Sequence, residues 1–180
     1  DSIDATDAGR RGIVVTNTPD VLTEEVADLT LGLLIATVRR LPQADRFLRA
    51  GYWLKGPFPL SSSLRPRKVG ILGLGRIGRA IARRLEACGL PVAYHGRRRQ
   101  EDTPYRYFAD LVEMAGAVDT LIAVAPGGGA TKGLVNAEVL KALGPQGVVI
   151  NVGRGSVVDE PALIKALADG TILAAGLDVF

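Results

Sequence analysis

A glycine-rich segment near the middle of the chain limits the possible folds more than any other feature of the sequence. Residues 70–78 have the sequence GILGLGRIG, in which Gly73, Gly75 and Gly78 form a G-x-G-x-x-G pattern. The apolar run at 68–72 predicts a strand before the pattern, and residues 76–87 predict a helix after it. A strand, a tight turn and a helix in this order are typical of one unit of a parallel α/β sheet.

The chain beyond this segment alternates between predicted strands and predicted helices. We predict strands at 91–95, 119–124, 147–152 and 172–179, and helices at 108–115, 136–143 and 161–169. Strands that are apolar throughout, such as 147–150, belong in a parallel sheet that is covered on both faces. The 180 residues therefore predict an α/β protein with a doubly wound parallel sheet, the Rossmann fold, in a single domain.

The segment before the glycine pattern predicts one strand and one long helix. Residues 12–16 are rich in β-branched side chains and predict a short strand, followed by a turn at 17–20. A helix is expected from Thr23, which can cap it, to Arg40. Because this helix is nearly apolar on all sides, we expect it to be buried on all sides, against its own core and against a second subunit.

Residues 42–66 combine glycine, proline and serine with scattered aromatic side chains, and they predict an irregular connection with one helical turn near 45–50.

Composition and charge exclude several classes of protein. The net charge is +3, and the tightest basic cluster, residues 97–99, lacks the interleaved aromatic side chains of nucleic-acid-binding surfaces. The apolar run at 29–38 has about half of the roughly 20 residues that cross a bilayer. One cysteine and one histidine exclude a disulfide framework and a cysteine- or histidine-rich metal site, and they fit a reducing compartment. We therefore expect a cytoplasmic protein without a nucleic-acid, membrane or metal partner.

The glycine pattern itself predicts a phosphate-binding turn. Gly73 permits the tight turn, Gly75 lets the backbone approach a pyrophosphate, and Gly78 allows the helix to pack closely on the strand. Arg76 and Ile77 begin the helix whose N-terminus would face the anion. The pattern therefore predicts a dinucleotide site, and the alternative is a glycine-rich turn that binds no ligand.

The charges after the next strand favour one dinucleotide over another. An NAD site carries Asp or Glu about 20 residues further on, but no carboxylate occurs between Glu86 and Glu101. His95 stands at the strand end instead, followed by Arg97 and Arg98, whose guanidinium groups can grip a 2′-phosphate. We therefore predict NADP(H), with His95 stacking, hydrogen bonding or filling space near the adenosine end. The alternative is NAD beside an exposed basic turn.

Four stretches of the sequence occur in the order found in a known enzyme family. They are VTNTP at 15–19 with VAD at 26–28, GILGLGRIG at 70–78, NVGRGSVVDE at 151–160, and GLDVF at 176–180. The chain thereby resembles the nucleotide-binding domain of the D-isomer-specific 2-hydroxyacid dehydrogenases, which include the glyoxylate/hydroxypyruvate reductases. The resemblance implies that residues 1–180 are this domain of a two-domain protein, with the substrate domain outside the chain.

The resemblance also implies roles for residues near the later strands. Arg154 matches the catalytic arginine, and its planar charged fork suits a carboxylate and an adjacent ketone oxygen. Asp178 matches the aspartate that contacts the nicotinamide carboxamide. The alternatives are an ordinary loop arginine and a turn-capping aspartate. Val152, in a matched stretch, is counted with the cofactor-binding positions.

A further loop is assigned by the same resemblance. Pro126 and Thr131 match the ends of a loop that passes over the cofactor in the family. The triple glycine at 127–129 departs from the family's more polar pattern, so we expect a more mobile loop with fewer side-chain contacts.

The function implied by the resemblance is hydride transfer between NADP(H) and a small 2-oxo or 2-hydroxy acid, as in a glyoxylate/hydroxypyruvate reductase. The family's acid, a histidine held by a carboxylate, would lie beyond residue 180, so we expect the chain alone to bind NADP(H) without turnover. The helix at 23–41 resembles the family's dimerisation helix and implies a homodimer. The alternative is a dinucleotide-sensing scaffold of the same family, such as a corepressor; the presence of Arg154 favours the enzyme.

Overall fold

A sheet of six parallel strands forms the centre of the computed structural model, which describes residues 3–18, 20–65 and 67–180. The strands are β1 (Val69–Leu72), β2 (Val92–His95), β3 (Arg106–Phe108), β4 (Thr120–Ala123), β5 (Val148–Asn151) and β6 (Ala174–Leu177). Their order across the sheet is β3-β2-β1-β4-β5-β6, and every neighbouring pair is parallel. The first strand, β1, thus lies in the middle of the sheet, β2 and β3 extend it on one side, and β4, β5 and β6 extend it on the other.

Helices cover both faces of this sheet. The helices of the described residues are α1 (Ala5–Arg10), α2 (Thr23–Val38), α3 (Leu41–Arg49), α4 (Arg76–Ala87), α5 (Leu111–Ala117), α6 (Ala137–Leu143) and α7 (Glu160–Ala168). Helices α2 and α4 pack on one face, and α5, α6 and α7 form the layer on the other. On β5, Val148 and Ile150 pack in the core under α2 and α4, whereas Val149 packs in the core under α5, α6 and α7. The predicted doubly wound α/β fold is confirmed.

The apolar strands gave the most accurate sequence predictions. Strands β1, β4 and β5 are buried at every position, which explains why they are apolar throughout. Each predicted run contains the observed strand and extends one or two residues beyond it at one or both ends. The helix expected at 76–87 has those bounds, and Asp159 caps α7 by accepting a hydrogen bond from the Ala162 N–H at 3.1 Å.

The strand predicted at 12–16 is wrong. These residues are irregular and exposed, and Val14 has 85% of its surface accessible. A strand needs a neighbour for its backbone groups, and within the described residues this segment pairs with no strand of the sheet. Instead, the Ile13 N–H donates to the carbonyl oxygen of Ala8, a residue of α1, at 2.9 Å. The turn expected at 17–20 includes Pro19, which lies outside the described residues.

Two other local predictions are also corrected. The connection at 42–66 contains nearly all of helix α3 and a 3₁₀ turn at Tyr52–Lys55, with Pro66 outside the described residues. The helix predicted from residue 108 begins later, because Phe108 ends the short edge strand β3. Asp110 then caps α5 by accepting from the Glu113 N–H at 2.8 Å.

Helix α2 is buried on one face by this chain's own core, and the expected burial of its remaining surface against a second subunit stays a prediction. Thr30, Leu34 and Val38 are buried, whereas Leu29 is 46% exposed. Leu22, which forms no side-chain capping bond, occupies the cap position expected for Thr23.

Arginine fastens α2 to α4. The guanidinium of Arg84 forms ion pairs with Glu24 at 2.8 Å and Asp28 at 2.6 Å, and the hydrogen bonds that it donates to Asp28 and then to Glu24 raise the pKa of Arg84. Among the described residues, no helix has the length and apolar character required to traverse a lipid bilayer.

Candidate functional site

The carboxyl ends of the strands form one edge of the sheet, and the sequence-predicted residues gather there. Because every strand is parallel, the chain leaves β1, β2, β4 and β5 at this same edge. The strand order reverses between β1 and β4, and a crevice opens at such a point in open α/β sheets. The predicted glycine turn follows β1, and the predicted arginine loop follows β5. Chain topology therefore brings these distant segments to one side of the molecule.

The turn after β1 requires glycine at two positions. Gly73 has a φ of 102°, and a Cβ there would lie 3.0 Å from the Cα of Ala125. Its N–H donates to the carbonyl oxygen of His95 at 3.0 Å, which ties the turn to the end of β2. A Cβ at Gly78 would overlap the carbonyl oxygen of Gly73. These contacts match the predicted tight turn and the predicted close packing of helix on strand.

The N-terminus of α4 faces open space beyond this turn. Gly75 is the cap residue, it provides no side-chain cap, and a Cβ there would meet nothing within 4 Å. Among the described residues, no cap side chain accepts from the first N–H groups of the helix, as a phosphate site requires. Ile77 is half-buried against the core, whereas Arg76 is exposed and forms an ion pair with Asp20.

The basic residues predicted for a 2′-phosphate lie on the loop that follows β2, the strand next to β1. The Nδ1–H of His95 donates to the carbonyl oxygen of Phe108 at 3.1 Å, so this ring is attached to β3. Arg97 and Arg98 are exposed. In the part of the chain that the structure describes, neither guanidinium forms a hydrogen bond or an ion pair. Both arginines are thus available to an anion from solvent.

Sequence reasoning missed the residue that fixes this basic loop. The side-chain N–H₂ of Gln100 donates to the carbonyl oxygen of Leu74, between Gly73 and Gly75, at 2.8 Å. Its side-chain oxygen accepts from Arg79 of α4. A glutamine after three arginines carries no recognisable pattern, because both partners come from segments distant in the sequence.

The loop is also held beyond Gln100. The guanidinium of Arg79 forms an ion pair with Asp102 at 2.7 Å, and this hydrogen bond holds the pKa of the Asp102 carboxyl below its usual value. On the other side of the arginines, the hydroxyl of Tyr107 donates to the Gly96 carbonyl oxygen at 3.2 Å. The basic residues therefore project from a loop fixed at both ends.

Arg154 lies after β5, on a loop shaped by a buried asparagine. The side chain of Asn151 accepts from the Gly153 N–H at 3.1 Å and donates to the carbonyl oxygen of Arg154 at 3.0 Å. Arg154 is exposed, and its Nη1 donates to the Gly153 carbonyl oxygen at 2.8 Å. A buried polar residue that ends an apolar strand could have indicated this role for Asn151 from the sequence.

The glycine-rich loop after β4 lies beside this arginine. The hydroxyl of Thr131 donates to the Pro126 carbonyl oxygen at 2.7 Å, so the two predicted loop ends meet. A Cβ at Gly127 would lie 3.0 Å from the Cγ of Arg154. The missing side chain therefore makes room for the aliphatic part of the arginine.

The remaining predicted residues lie at the same edge. The N–H of Val152 donates to the Ala123 carbonyl oxygen at 3.1 Å, which joins the ends of β5 and β4. The N–H of Asp178 donates to the Asn151 carbonyl oxygen at 2.9 Å, and the Asp178 side chain is exposed.

His95 and Arg154 do not form a common catalytic pair. They follow β2 and β5, which are three strand spacings apart, or about 14 Å at roughly 4.8 Å per spacing. Among the residues that the structure describes, no group of His, Cys, Asp and Glu is arranged to hold a metal ion. The edge can therefore bind a long anionic ligand at one end and a small carboxylate at the other.

Comparison with known proteins agrees with this geometry. Residues 31–180 match the family model described as D-isomer specific 2-hydroxyacid dehydrogenase, NAD binding domain. The NADPH-dependent glyoxylate/hydroxypyruvate reductase of Sinorhizobium meliloti, solved with NADP and malonate, is 62% identical, with a TM-score of 0.95. That alignment covers 100% of this chain and 57% of the S. meliloti protein.

Two plant proteins are also similar over the whole chain. A glyoxylate/hydroxypyruvate reductase of Arabidopsis thaliana is 48% identical, and a hydroxyphenylpyruvate reductase of Plectranthus scutellarioides is 46% identical. Each match covers 100% of this chain and 58% of the relative, so the chain spans little more than half of these proteins. Because the family model covers residues 31–180 and the fold agrees along the whole length, the chain belongs to the D-isomer specific 2-hydroxyacid dehydrogenase family.

Proposed function

We propose that this chain is the dinucleotide-binding part of an NADP(H)-dependent reductase of small 2-oxo acids, of the glyoxylate/hydroxypyruvate type. One observation carries the proposal: three features lie along one edge of the sheet. In spatial order they are the exposed arginine pair after β2, the uncapped glycine turn after β1 and the loop arginine after β5. The S. meliloti relative, which is NADPH-dependent, adds support from a protein with 62% identity.

The residues present fit the dinucleotide. The space left open at Gly75 and the uncapped start of α4 would receive the pyrophosphate through backbone N–H groups. Arg97 and Arg98 would hold the 2′-phosphate, with His95 beside the adenosine. The loop from Pro126 to Thr131, together with Val152 and Asp178, would flank the nicotinamide end.

Arg154 would bind the substrate. Its planar guanidinium can bind a carboxylate and polarise the neighbouring ketone oxygen, and Asn151 and Gly127 fix the course of its loop and stem. When bound, the nicotinamide supplies or accepts the hydride.

The proton for this reaction would come from outside the described site. His95 is the single histidine of the sequence, and it lies at the opposite end of the edge from Arg154. We therefore expect residues 1–180 to bind NADP(H) without reducing a 2-oxo acid, and to form one domain of a longer, two-domain enzyme. Measurable turnover by the pure chain would contradict this part of the proposal.

Pairing of two copies through α2 completes the proposal. The apolar side chain of Leu29, which is 46% exposed on α2, supports a homodimer across this face. The single cysteine of the sequence, Cys88, is free and supports a reducing, cytoplasmic location. Light scattering should give a dimer for the wild type and a smaller species for Leu29→Glu. A wild type that is monomeric at high concentration would contradict the dimer.

Cofactor choice provides the direct test of the proposed function. We expect NADPH to bind more tightly than NADH in side-by-side fluorescence titrations. Replacing Arg97 or Arg98 by alanine should weaken NADPH binding by about tenfold or more, since charge-assisted hydrogen bonds contribute about 1.5–3 kcal/mol, and should leave NADH binding within about twofold. Arg10→Ala removes an exposed arginine of α1 and serves as the matched control. Equal affinity for both dinucleotides in the wild type would contradict the proposal.

A further inference from the structure

Gln100 connects the two anion-binding parts of the candidate site. Its side-chain N–H₂ donates to the Leu74 carbonyl oxygen inside the glycine turn, and its side-chain oxygen accepts from Arg79. The exposed pair Arg97 and Arg98 lies only a few residues before it on the same loop. A single half-buried side chain thus spans from the basic loop to the phosphate turn.

The backbone of Gln100 is attached to the core as well. Its N–H donates to the hydroxyl oxygen of Tyr94 at 2.7 Å, and Tyr94 is fully buried on β2. The side-chain bonds of Gln100 are therefore made from a fixed point, and they set the position of the turn relative to the loop.

Asp102 provides a second link of the same kind. Its carboxylate pairs with Arg79 at 2.7 Å, so that Arg79 donates hydrogen bonds to both Gln100 and Asp102 of one loop. Since Arg79 belongs to α4, whose N-terminus faces the open space at Gly75, both links end on the phosphate-binding helix.

A phosphorylated dinucleotide presents two anionic groups at a separation fixed by its covalent structure. Protein groups already held at that separation bind such a ligand without the entropic cost of ordering a loop. On this basis, and resting on the proposed function, we infer that Gln100 is a positioning residue that holds the basic loop in register with the glycine turn. It thereby contributes to the preference for a 2′-phosphorylated dinucleotide.

The test replaces Gln100 with a side chain of similar length that forms neither bond. In Gln100→Met, the dissociation constant for NADPH should rise by about tenfold, because one or two net hydrogen bonds of about 1 kcal/mol are lost. The dissociation constant for NADH should stay within about twofold, because NADH carries a neutral 2′-hydroxyl in place of the phosphate that the basic loop would bind. Both are measured by fluorescence titration of the wild type and the variant.

A double-mutant cycle separates positioning from general stability. In the Arg97→Ala/Arg98→Ala background, Gln100→Met should cause no further loss of NADPH affinity, because the loop then has no arginine to position against the phosphate. Gln43→Met on the exposed surface of α3 is the matched control. Equal weakening of NADPH and NADH by Gln100→Met would assign Gln100 a purely structural role and overturn the inference.

Asp102→Asn gives a second variant on an exposed residue that leaves the core untouched. It should lower the NADPH preference by about threefold, since Gln100 still holds Arg79. Unchanged preference in both Gln100→Met and Asp102→Asn would overturn the inference while the proposed function stands. A wild type without any NADPH preference would instead refute the proposed function and the inference with it.

Discussion

The two halves of the carboxyl edge are built differently. On the β1–β2 side, side chains join the loops: Gln100 reaches the glycine turn, Arg79 reaches Asp102, and Tyr107 reaches Gly96. On the β4–β5 side, glycine replaces side chains at 127–129, and the side chain of Asn151 bonds the backbone of the arginine loop from within.

This difference corresponds to the two kinds of ligand that the proposed reaction requires. The adenosine phosphate end of a dinucleotide is the same in every turnover, so a fixed site lowers the cost of binding it. The nicotinamide end must admit a substrate and release a product, which favours loops with few side-chain links. The contrast can be tested by substitutions on each side.

The largest effect is expected from Gly78→Ala, which disrupts the turn on the β1–β2 side. The added Cβ would overlap the Gly73 carbonyl oxygen, so the turn or the helix must shift. We expect destabilisation of about 1–3 kcal/mol and a loss of affinity for NADPH and NADH of more than about a hundredfold. Thermal unfolding and dinucleotide titration measure the two effects.

Gly116→Ala in α5 is the matched control for this substitution. A Cβ there meets nothing within 4 Å, and alanine favours a helix over glycine by about 1 kcal/mol. Gly116→Ala should therefore keep or raise the unfolding temperature and bind NADPH normally. Normal binding by Gly78→Ala would show that the turn does not need this close approach.

Arg154→Lys should give the next largest effect, confined to the other side. Lysine keeps the charge but loses the planar fork, so we expect kcat/KM for glyoxylate in the complete enzyme to fall by about tenfold to a hundredfold. The affinity for NADPH should stay within about twofold. An equivalent exchange at an exposed position of α3, Arg46→Lys, is the control. Full activity of Arg154→Lys would remove Arg154 from the chemistry.

Gly127→Ala tests the comparison further by adding one side chain to the glycine-rich loop on the β4–β5 side. Its Cβ would lie 3.0 Å from the Cγ of Arg154, so the arginine stem must move by a few tenths of an ångström. We expect kcat/KM for glyoxylate in the complete enzyme to fall by about threefold to fivefold, because small displacements of a positioning group lower the rate. Gly129→Ala, whose Cβ meets nothing within 4 Å, should have a smaller effect. The reverse order would contradict the proposed contact.

The sequence predicts the strands well wherever burial dictates the residue types. Strand β5 is apolar at its first three positions because helices cover both of its faces, and a periodicity argument detects this directly. Strand β3 escapes the same argument, because its three residues at the sheet edge include the exposed Arg106. Residues 12–16 fail for the opposite reason, since β-branched residues favour a strand but cannot supply its partner.

The candidate site divides in the same way. Gly73 and Gly78 follow from the pattern because the turn leaves no room for a side chain. Gln100 could not be predicted, because its bonds to Leu74 and Arg79 depend on how two separate loops meet in space. Backbone requirements are local and leave a pattern in the sequence, whereas side-chain links between loops do not.

The smallest predicted effect concerns a hydrogen bond between α4 and the segment before β3, on the β1–β2 side of the molecule. The hydroxyl of Tyr105 donates to the Glu86 carboxylate of α4 at 2.7 Å, and burial followed by this hydrogen bond raises the pKa of Tyr105 to about 12. A raised folded pKa means that the protonated phenol is the stabilising form. The stabilisation by the protonated phenol is therefore complete below pH 10, the ordinary pKa of a tyrosine, and is lost as the pH rises towards 12.

Thermal unfolding across this alkaline range should therefore separate wild type from Tyr105→Phe. The wild type should be slightly more stable below pH 10, because one hydrogen bond contributes about 1 kcal/mol, and the difference should shrink as the phenol ionises. Tyr52→Phe, on the exposed 3₁₀ turn, controls for the loss of a phenol. A constant difference between wild type and Tyr105→Phe from neutral to strongly alkaline pH would show that the Tyr105–Glu86 bond does not stabilise this side. The rigidity of the basic loop would then have to come from the bonds of Gln100, Asp102 and Tyr107.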